Sequence, residues 1–215
     1  MKSILQNKAY LYLTCLLLGI ITSFSLPPYN FVFLNFLSLP TLLYILINYT
    51  HKKIISFFVG WVFGFGYFIS NLYWITNSLT FDVNFKLIIP FALILIPLFL
   101  GIFYGLVTFL SSLFNLKNKL SSVLIFSIFF GGIEFLRSFI LGGFPWNLLV
   151  FSVSNNLPSL QILSYVGTYS LNLLSITIFL LPIIFFHKHK SLSAVIYFCF
   201  GLILVVINYS YGYFN

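Results

Sequence analysis

Glu134 and Arg137 are the residues whose types and spacing best suit chemistry, because they are opposite charges within one long apolar run. Three positions apart on a helix, they share a face and can pair. An ionisable residue at the centre of a membrane helix costs about 2.5–3.5 kcal/mol and is a functional candidate by default. Two interpretations stay open. Arg137 binds a phosphate in bidentate fashion near the end of its helix, or the pair neutralises itself and fixes how that helix packs.

Catalysis by the remaining side chains has little support. A nucleophilic or metal site needs several suitable groups within reach of one another. The other side chains that could take part are Cys15, His51, Asp82, His187, His189 and Cys199. The histidines stand in lysine-rich segments, the two carboxylates of the chain are far apart, and both cysteines lie inside apolar runs. The sequence therefore predicts no catalytic residue, metal, cofactor or disulfide.

The longest connection between apolar runs, residues 141–163, is a second candidate for function. It is uncharged and contains Phe144, Pro145, Trp146 and Asn147. Irregular backbone at membrane depth must be shielded by protein or water. We therefore expect this segment to lie at the membrane surface or to re-enter the bundle. Long structured loops often carry function.

The elements that must position these residues are transmembrane helices. Hydrophobic residues make up 61% of the chain and charged residues 6%, which excludes an ordinary soluble domain. The apolar runs are near or above the roughly 20 residues that cross a bilayer as a helix. They cover residues 9–26, 31–49, 54–76, 88–114, 121–140, 164–186 and 192–211. The prediction is an all-α integral membrane protein, a bundle of about seven transmembrane helices forming one domain over residues 1–215.

Charge placement predicts how this bundle is oriented. Basic residues occupy every second connection: Lys2 and Lys8, then His51, Lys52 and Lys53, then Lys117 and Lys119, then His187, Lys188, His189 and Lys190. Because lysine and arginine in short loops stay on the cytoplasmic side, we expect a cytoplasmic N-terminus and a periplasmic C-terminus. Lys86 and Arg137 are the exceptions. The net charge of +8 is then a cytoplasmic rim facing anionic lipid, and nucleic acid is not an expected partner.

Two apolar runs carry regularly spaced glycines. Gly60, Gly64 and Gly66 lie in the third run, and Gly101 and Gly105 repeat the four-residue spacing in the fourth. Small residues at this spacing let helix backbones approach closely. We expect them to serve helix packing.

Four stretches resemble, in order, the membrane part of apolipoprotein N-acyltransferase, a bacterial inner-membrane enzyme of lipoprotein maturation. They are Leu26-Pro27-Pro28-Tyr29-Asn30; residues 60–68 leading to Leu72-Tyr73-Trp74-Ile75; Glu134-Phe135-Leu136-Arg137; and Gly143-Phe144-Pro145-Trp146-Asn147. Together they extend over nearly the whole chain. Enzymes of this family transfer an acyl chain from a phospholipid to the N-terminal diacylglyceryl-cysteine of lipoproteins.

The resemblance implies that Glu134, Arg137 and the 143–147 stretch border a lipid-accessible mouth. Arg137 would hold a lipid phosphate, and Phe144, Pro145, Trp146 and Asn147 would shape the entry of acyl chains. The family's Glu, Lys and Cys triad belongs to a nitrilase-like domain, and no residue here matches it. The expectation is therefore a truncated or split membrane module, inactive alone, in the bacterial inner membrane.

The implied partners are membrane phospholipid, apolipoproteins and a separately encoded nitrilase-like domain. The alternatives are a non-enzymatic lipid-binding scaffold and a small transporter. Few polar groups lie within the runs and no paired broken helices are evident, which weighs against transport.

Overall fold

The fold is all-helical in the computed structural model, which describes residues 5, 7–81, 83–116, 120–140, 143–186 and 192–214. Within these residues the long helices are α1 (Lys8–Ser23), α2 (Asn35–Tyr49), α3 (Lys53–Asn71), α4 (Ile89–Ser111), α5 (Leu120–Arg137), α6 (Thr168–Leu180) and α7 (Leu192–Phe214). Six helical segments, one for each of α2 to α7, are long and apolar enough to span a membrane. The predicted all-α membrane architecture is confirmed, although α1, at 16 residues, is shorter than each of these six segments, which have 18–26 residues.

Several helix boundaries differ from the predicted spans. The run 54–76 is helical only to Asn71, and a 3-10 segment, Tyr73–Thr80, follows. Within the run 164–186, the long helix begins only at Thr168. Gly167, with a φ of 75°, separates this helix from the single-turn helix Leu163–Val166. Apolar side chains continue across both boundaries, so hydropathy alone does not mark them.

Helix α3 lies between α1 and α4 and touches both through glycine. A Cβ added to Gly64 would lie 2.9 Å from the Cα of Gly101, and one added to Gly66 would lie 2.4 Å from the carbonyl oxygen of Leu16. A Cβ on Gly19 of α1 would come within 2.0 Å of the carbonyl oxygen of Phe63. The predicted role of the glycines in close helix packing is confirmed for this three-helix layer.

The connection between α5 and α6 is folded against the bundle. It contains a 3-10 turn, Leu149–Val153, and the short helices Leu157–Leu160 and Leu163–Val166. Its centre is buried, with Leu149 and Val150 fully shielded. Shielding of this segment by protein agrees with the expectation from its apolar sequence.

Helix α7 is attached to this connection at its C-terminal end. A Cβ on Gly212 would lie 1.9 Å from the carbonyl oxygen of Pro158, and the Asn208 amide donates to the Ser159 carbonyl at 2.9 Å. The hydroxyl of Tyr211 donates to that of Tyr165 at 3.0 Å. Only 6% of the spanning window of α7 is buried, against 28–50% in the other long segments.

Several residues behind the orientation prediction lie outside the described part of the chain. These are Lys2, Asp82, Lys117, Lys119, His187, Lys188, His189, Lys190 and Asn215. The cytoplasmic N-terminus, the periplasmic C-terminus and the single domain over 1–215 stay predictions.

Candidate functional site

The site begins at the C-terminal end of α5, where Glu134 and Arg137 face the interior. Glu134 is 0% exposed and Arg137 1% exposed. The guanidinium Nη2 lies 3.8 Å from the Glu134 Oε1, so the two side chains pair as their spacing indicates. A charge removed from water in this way persists only when other groups also satisfy it.

Glu134 receives two hydrogen bonds from neighbouring helices. The Tyr104 hydroxyl of α4 donates to its Oε1 at 2.8 Å, and the Asn172 amide of α6 donates to its Oε2. Both donors are buried. One carboxyl group therefore joins α4, α5 and α6.

Arg137 is held between aromatic rings and the loop that follows α5. Its Cζ lies 5.0 Å from the ring centroid of Phe68 and 5.8 Å from that of Phe144, a cation–π arrangement. Its Nη2 donates to the main-chain carbonyl of Trp146 at 3.0 Å. Its Nε and Nη1 are buried and donate to no acceptor among the described residues.

Residues 143–150, here named the 143–150 loop, are fixed mainly through their main chain. Besides the bond from Arg137, the Tyr67 hydroxyl donates to the Asn147 carbonyl at 2.8 Å. The Val150 amide donates to the Asn172 Oδ1 at 2.9 Å. Helices α3, α5 and α6 thus each hold one point of the loop.

The loop conformation requires particular residues at two positions. Gly143 has a φ of 85°, and a Cβ there would lie 2.2 Å from the Ser138 carbonyl oxygen. Asn147 has a φ of 58°, in the left-handed region that asparagine tolerates better than most residues. Both positions belong to the stretch that the sequence singled out.

A cleft of about 690 Å³ opens beside the 143–150 loop. Its walls come from the hairpin after α1, the end of α3, the segment after α3, the loop itself and the start of α6. The rings of two lining residues, Trp74 and Trp146, meet edge to face with their centroids 6.1 Å apart. They are 45% and 56% exposed. We call this cavity the aromatic cleft.

The predicted site residues divide between the cleft and the layer beneath it. Pro145, Trp146 and Asn147 line the cleft. Phe144 packs over Arg137, and neither Glu134 nor Arg137 is among the lining residues. The Arg137 side chain is 1% exposed, and its phosphate-binding role stays a prediction. Lipid binding by the other five residues likewise stays a prediction.

Three members of the network were missed from the sequence: Tyr67, Tyr104 and Asn172. Asn172 had a usable signal, since it is an amide within an apolar run. Tyr67 lies within the family-like 60–68 stretch, but nothing there distinguishes it from the other residues. Tyr104 had no signal, because it is one of 14 tyrosines in the chain. Among the described residues, no three His, Cys, Asp or Glu side chains come together as metal ligands would.

Comparison with known proteins decides the family. A family model described as "Apolipoprotein N-acyltransferase N-terminal domain" matches residues 18–181. The chain belongs to the apolipoprotein N-acyltransferase family. The matched range contains the aromatic cleft and the Glu134 network, and the family resemblance noted in the sequence is confirmed.

Individual members of the apolipoprotein N-acyltransferase family match over most of the chain. The enzyme of Rhizobium rhizogenes is 27% identical over 211 residues, which are 94% of this chain and 39% of that protein. The enzyme of Brucella melitensis is 29% identical, covering 90% of this chain and 38% of the relative. The enzyme of Agrobacterium fabrum is 30% identical, covering 76% of this chain and 32% of the relative. The chain thus spans less than two fifths of the length of these apolipoprotein N-acyltransferases and, with its long apolar helices, is a multi-pass membrane protein.

Proposed function

We propose that this chain is the membrane module of an apolipoprotein N-acyltransferase in the bacterial inner membrane. It binds the acyl chains of a phospholipid and of the diacylglyceryl-cysteine of a lipoprotein. It holds them for transfer of an acyl group to the cysteine amino group. The observation that carries the proposal is the aromatic cleft, whose lining includes Pro27, Pro28, Trp74, Pro145 and Trp146 from three of the family-like stretches.

The cleft suits an acyl chain in size and surface. Its volume of about 690 Å³ lies within the range of ligand pockets. Proline and aromatic side chains form much of its wall, so a hydrocarbon chain loses contact with water when it enters. Trp74 and Trp146 also suit the membrane interface, where tryptophan is enriched.

The Glu134 network positions this wall. Arg137 and Tyr67 hold the carbonyls of Trp146 and Asn147, and Glu134 partly neutralises Arg137. A binding surface on a loop is precise only when buried neighbours hold the loop in place. We assign Glu134, Arg137 and Tyr67 to positioning rather than to contact with the lipid.

The chemical step needs groups that the described part of the cleft does not supply. Its lining residues include neither a cysteine, a lysine nor a carboxylate. We propose that a nitrilase-like domain carrying Glu, Lys and Cys provides them, on this or another polypeptide. Helix α7 ends against Pro158, which lies in sequence between two residues that line the cleft, Ser154 and Thr168. A domain joined after residue 214 would therefore emerge beside the cleft.

Acyl transfer in a reconstituted system tests the proposal. The chain is combined in phospholipid vesicles with the remaining part of the Rhizobium rhizogenes enzyme, and a diacylglyceryl-cysteine peptide is followed by mass spectrometry. We expect a third acyl chain on the peptide, and about tenfold less with Trp146→Ala, which removes an aromatic wall. Leu136→Ala, on an exposed part of α5 away from the cleft, is the matched control.

Two other results would revise the proposal. Absence of both transfer and phospholipid bound to the purified chain would remove it. Retention of phospholipid without transfer would favour the non-enzymatic lipid-binding scaffold.

A further inference from the structure

The aromatic cleft has a neutral lining in the described part of the chain. Its polar contributors with short side chains are Ser23, Ser70, Asn71, Asn147, Ser154 and Thr168. No Lys, Arg, His, Asp or Glu is among its lining residues. The ligand groups that this lining can recognise are therefore hydrocarbon and uncharged hydrogen-bonding groups, rather than a charged headgroup.

Asn71, the last residue of α3, differs from the serines beside it. The Ser23 hydroxyl donates to the Ile20 carbonyl at 2.7 Å and the Ser70 hydroxyl to the Gly66 carbonyl at 3.0 Å. The Asn71 Nδ2 is buried and donates to no acceptor among the described residues. Because a buried amide donor without an acceptor is unfavourable, such a group beside a ligand cleft calls for a partner.

The place of Asn71 along the helix indicates which acceptor it meets. Asn71 ends α3, and the exposed rings of Tyr73 and Trp74 follow directly. Aromatic side chains of this kind mark the boundary between hydrocarbon and headgroups. The acceptors that a glycerolipid carries at this boundary are the ester carbonyls that join its chains to glycerol.

We propose that the Asn71 carboxamide donates a hydrogen bond to an ester carbonyl of a diacylglyceryl group whose chains occupy the aromatic cleft. The terminal torsion of asparagine is broad, so the amide turns toward such an acceptor at little cost. This rests on the proposed function and adds which part of the lipid is recognised. Phospholipids and the diacylglyceryl-cysteine of lipoproteins share this ester chemistry.

Lipids that differ only in the ester carbonyl test the proposal. Dioleoyl phosphatidylglycerol and its diether analogue, which lacks both carbonyls, are titrated onto the delipidated protein in detergent and counted by native mass spectrometry. We expect the diester to bind about five- to tenfold more tightly, as one hydrogen bond implies. Dioleoylglycerol, which lacks the phosphate, binds within about twofold of the phospholipid because the lining is neutral.

The variant Asn71→Leu keeps the side-chain size and removes the donor. We expect its diester and diether affinities to become equal, near the diether affinity of the wild type. The exposed Asn77→Leu, six residues further on and outside the cleft, keeps the wild-type ratio. A diacylglyceryl-cysteine peptide and its diether analogue, used as competitors, show which lipid source carries the preference.

The possible failures are separable. Equal affinity of the wild-type chain for diester and diether overturns the role of Asn71 and leaves the proposed function standing. Absence of binding by every lipid overturns both. The wild-type comparison needs no variant, so equal affinities overturn the role of Asn71 even if Asn71→Leu fails to fold. A diester preference that persists in folded Asn71→Leu overturns it as well.

Discussion

At the scale of single residues, Glu134 and Arg137 show what the sequence could and could not indicate. Their pairing followed from helical spacing and is present in the structure. Their other hydrogen-bond partners could not be predicted from helical spacing, because Tyr104, Asn172 and the Trp146 carbonyl lie outside α5. Of the two interpretations left open, the burial of Arg137 favours a role in packing and loop positioning over direct contact with phosphate.

The stability of Glu134 variants tests this buried pair. Glu134→Leu leaves the Arg137 charge buried without its carboxylate, so we expect unfolding free energy to fall by about 3–5 kcal/mol. The double variant Glu134→Leu with Arg137→Leu removes both charges and recovers part of that loss. Unfolding in mixed detergent micelles, followed by tryptophan fluorescence, measures both. Additive losses in the double variant would mean that the two side chains are energetically independent.

At the scale of elements, glycine spacing predicted packing better than hydropathy predicted helix ends. Gly64 and Gly101 meet as expected from small residues on two apolar runs. The end of α3 at Asn71 was missed because Tyr73, Trp74 and Ile75 continue the apolar run. The cleft itself needs five segments to converge. No local pattern in the chain encodes that convergence.

Two glycine-to-alanine variants test the close packing of α3 on α4. Gly64→Ala places a methyl group 2.9 Å from the Gly101 Cα and the Tyr104 Cβ, so we expect a loss of about 1–3 kcal/mol. Gly132→Ala on α5 meets nothing within 4 Å and removes a poor helix former, so we expect no loss or a gain up to about 1 kcal/mol. Thermal unfolding midpoints of the purified variants supply the measurement. A larger loss for Gly132→Ala would contradict the packing described for α3.

At the scale of the whole molecule, composition predicted a membrane bundle, and the family match agrees. Orientation is a different property. It depends on the lysines of short loops during insertion, and the relevant residues of two of those loops lie outside the described part of the chain. The helices alone are compatible with either orientation.

Reporter fusions test the orientation. Alkaline phosphatase joined after residue 215 is expected to be active, because it folds in the periplasm. The same reporter joined after residue 190 is expected to be inactive, whereas a cytoplasmic reporter at that site works. The physical reason is retention of the basic segment 187–190 on the cytoplasmic side. The opposite pattern at both sites would reverse the predicted topology.

The way the 143–150 loop is held has a consequence for how the family can diversify. Arg137 and Tyr67 donate hydrogen bonds to main-chain carbonyls, which every amino acid possesses. The side chains of Pro145 and Trp146, which form the cleft wall, take part in neither of these hydrogen bonds. Substitutions there change the shape of the cleft while the anchoring bonds remain, whereas the positive φ of Asn147 restricts its replacement. Under the proposed function, a preference for acyl-chain length can thus evolve at this wall separately from the stability of the bundle.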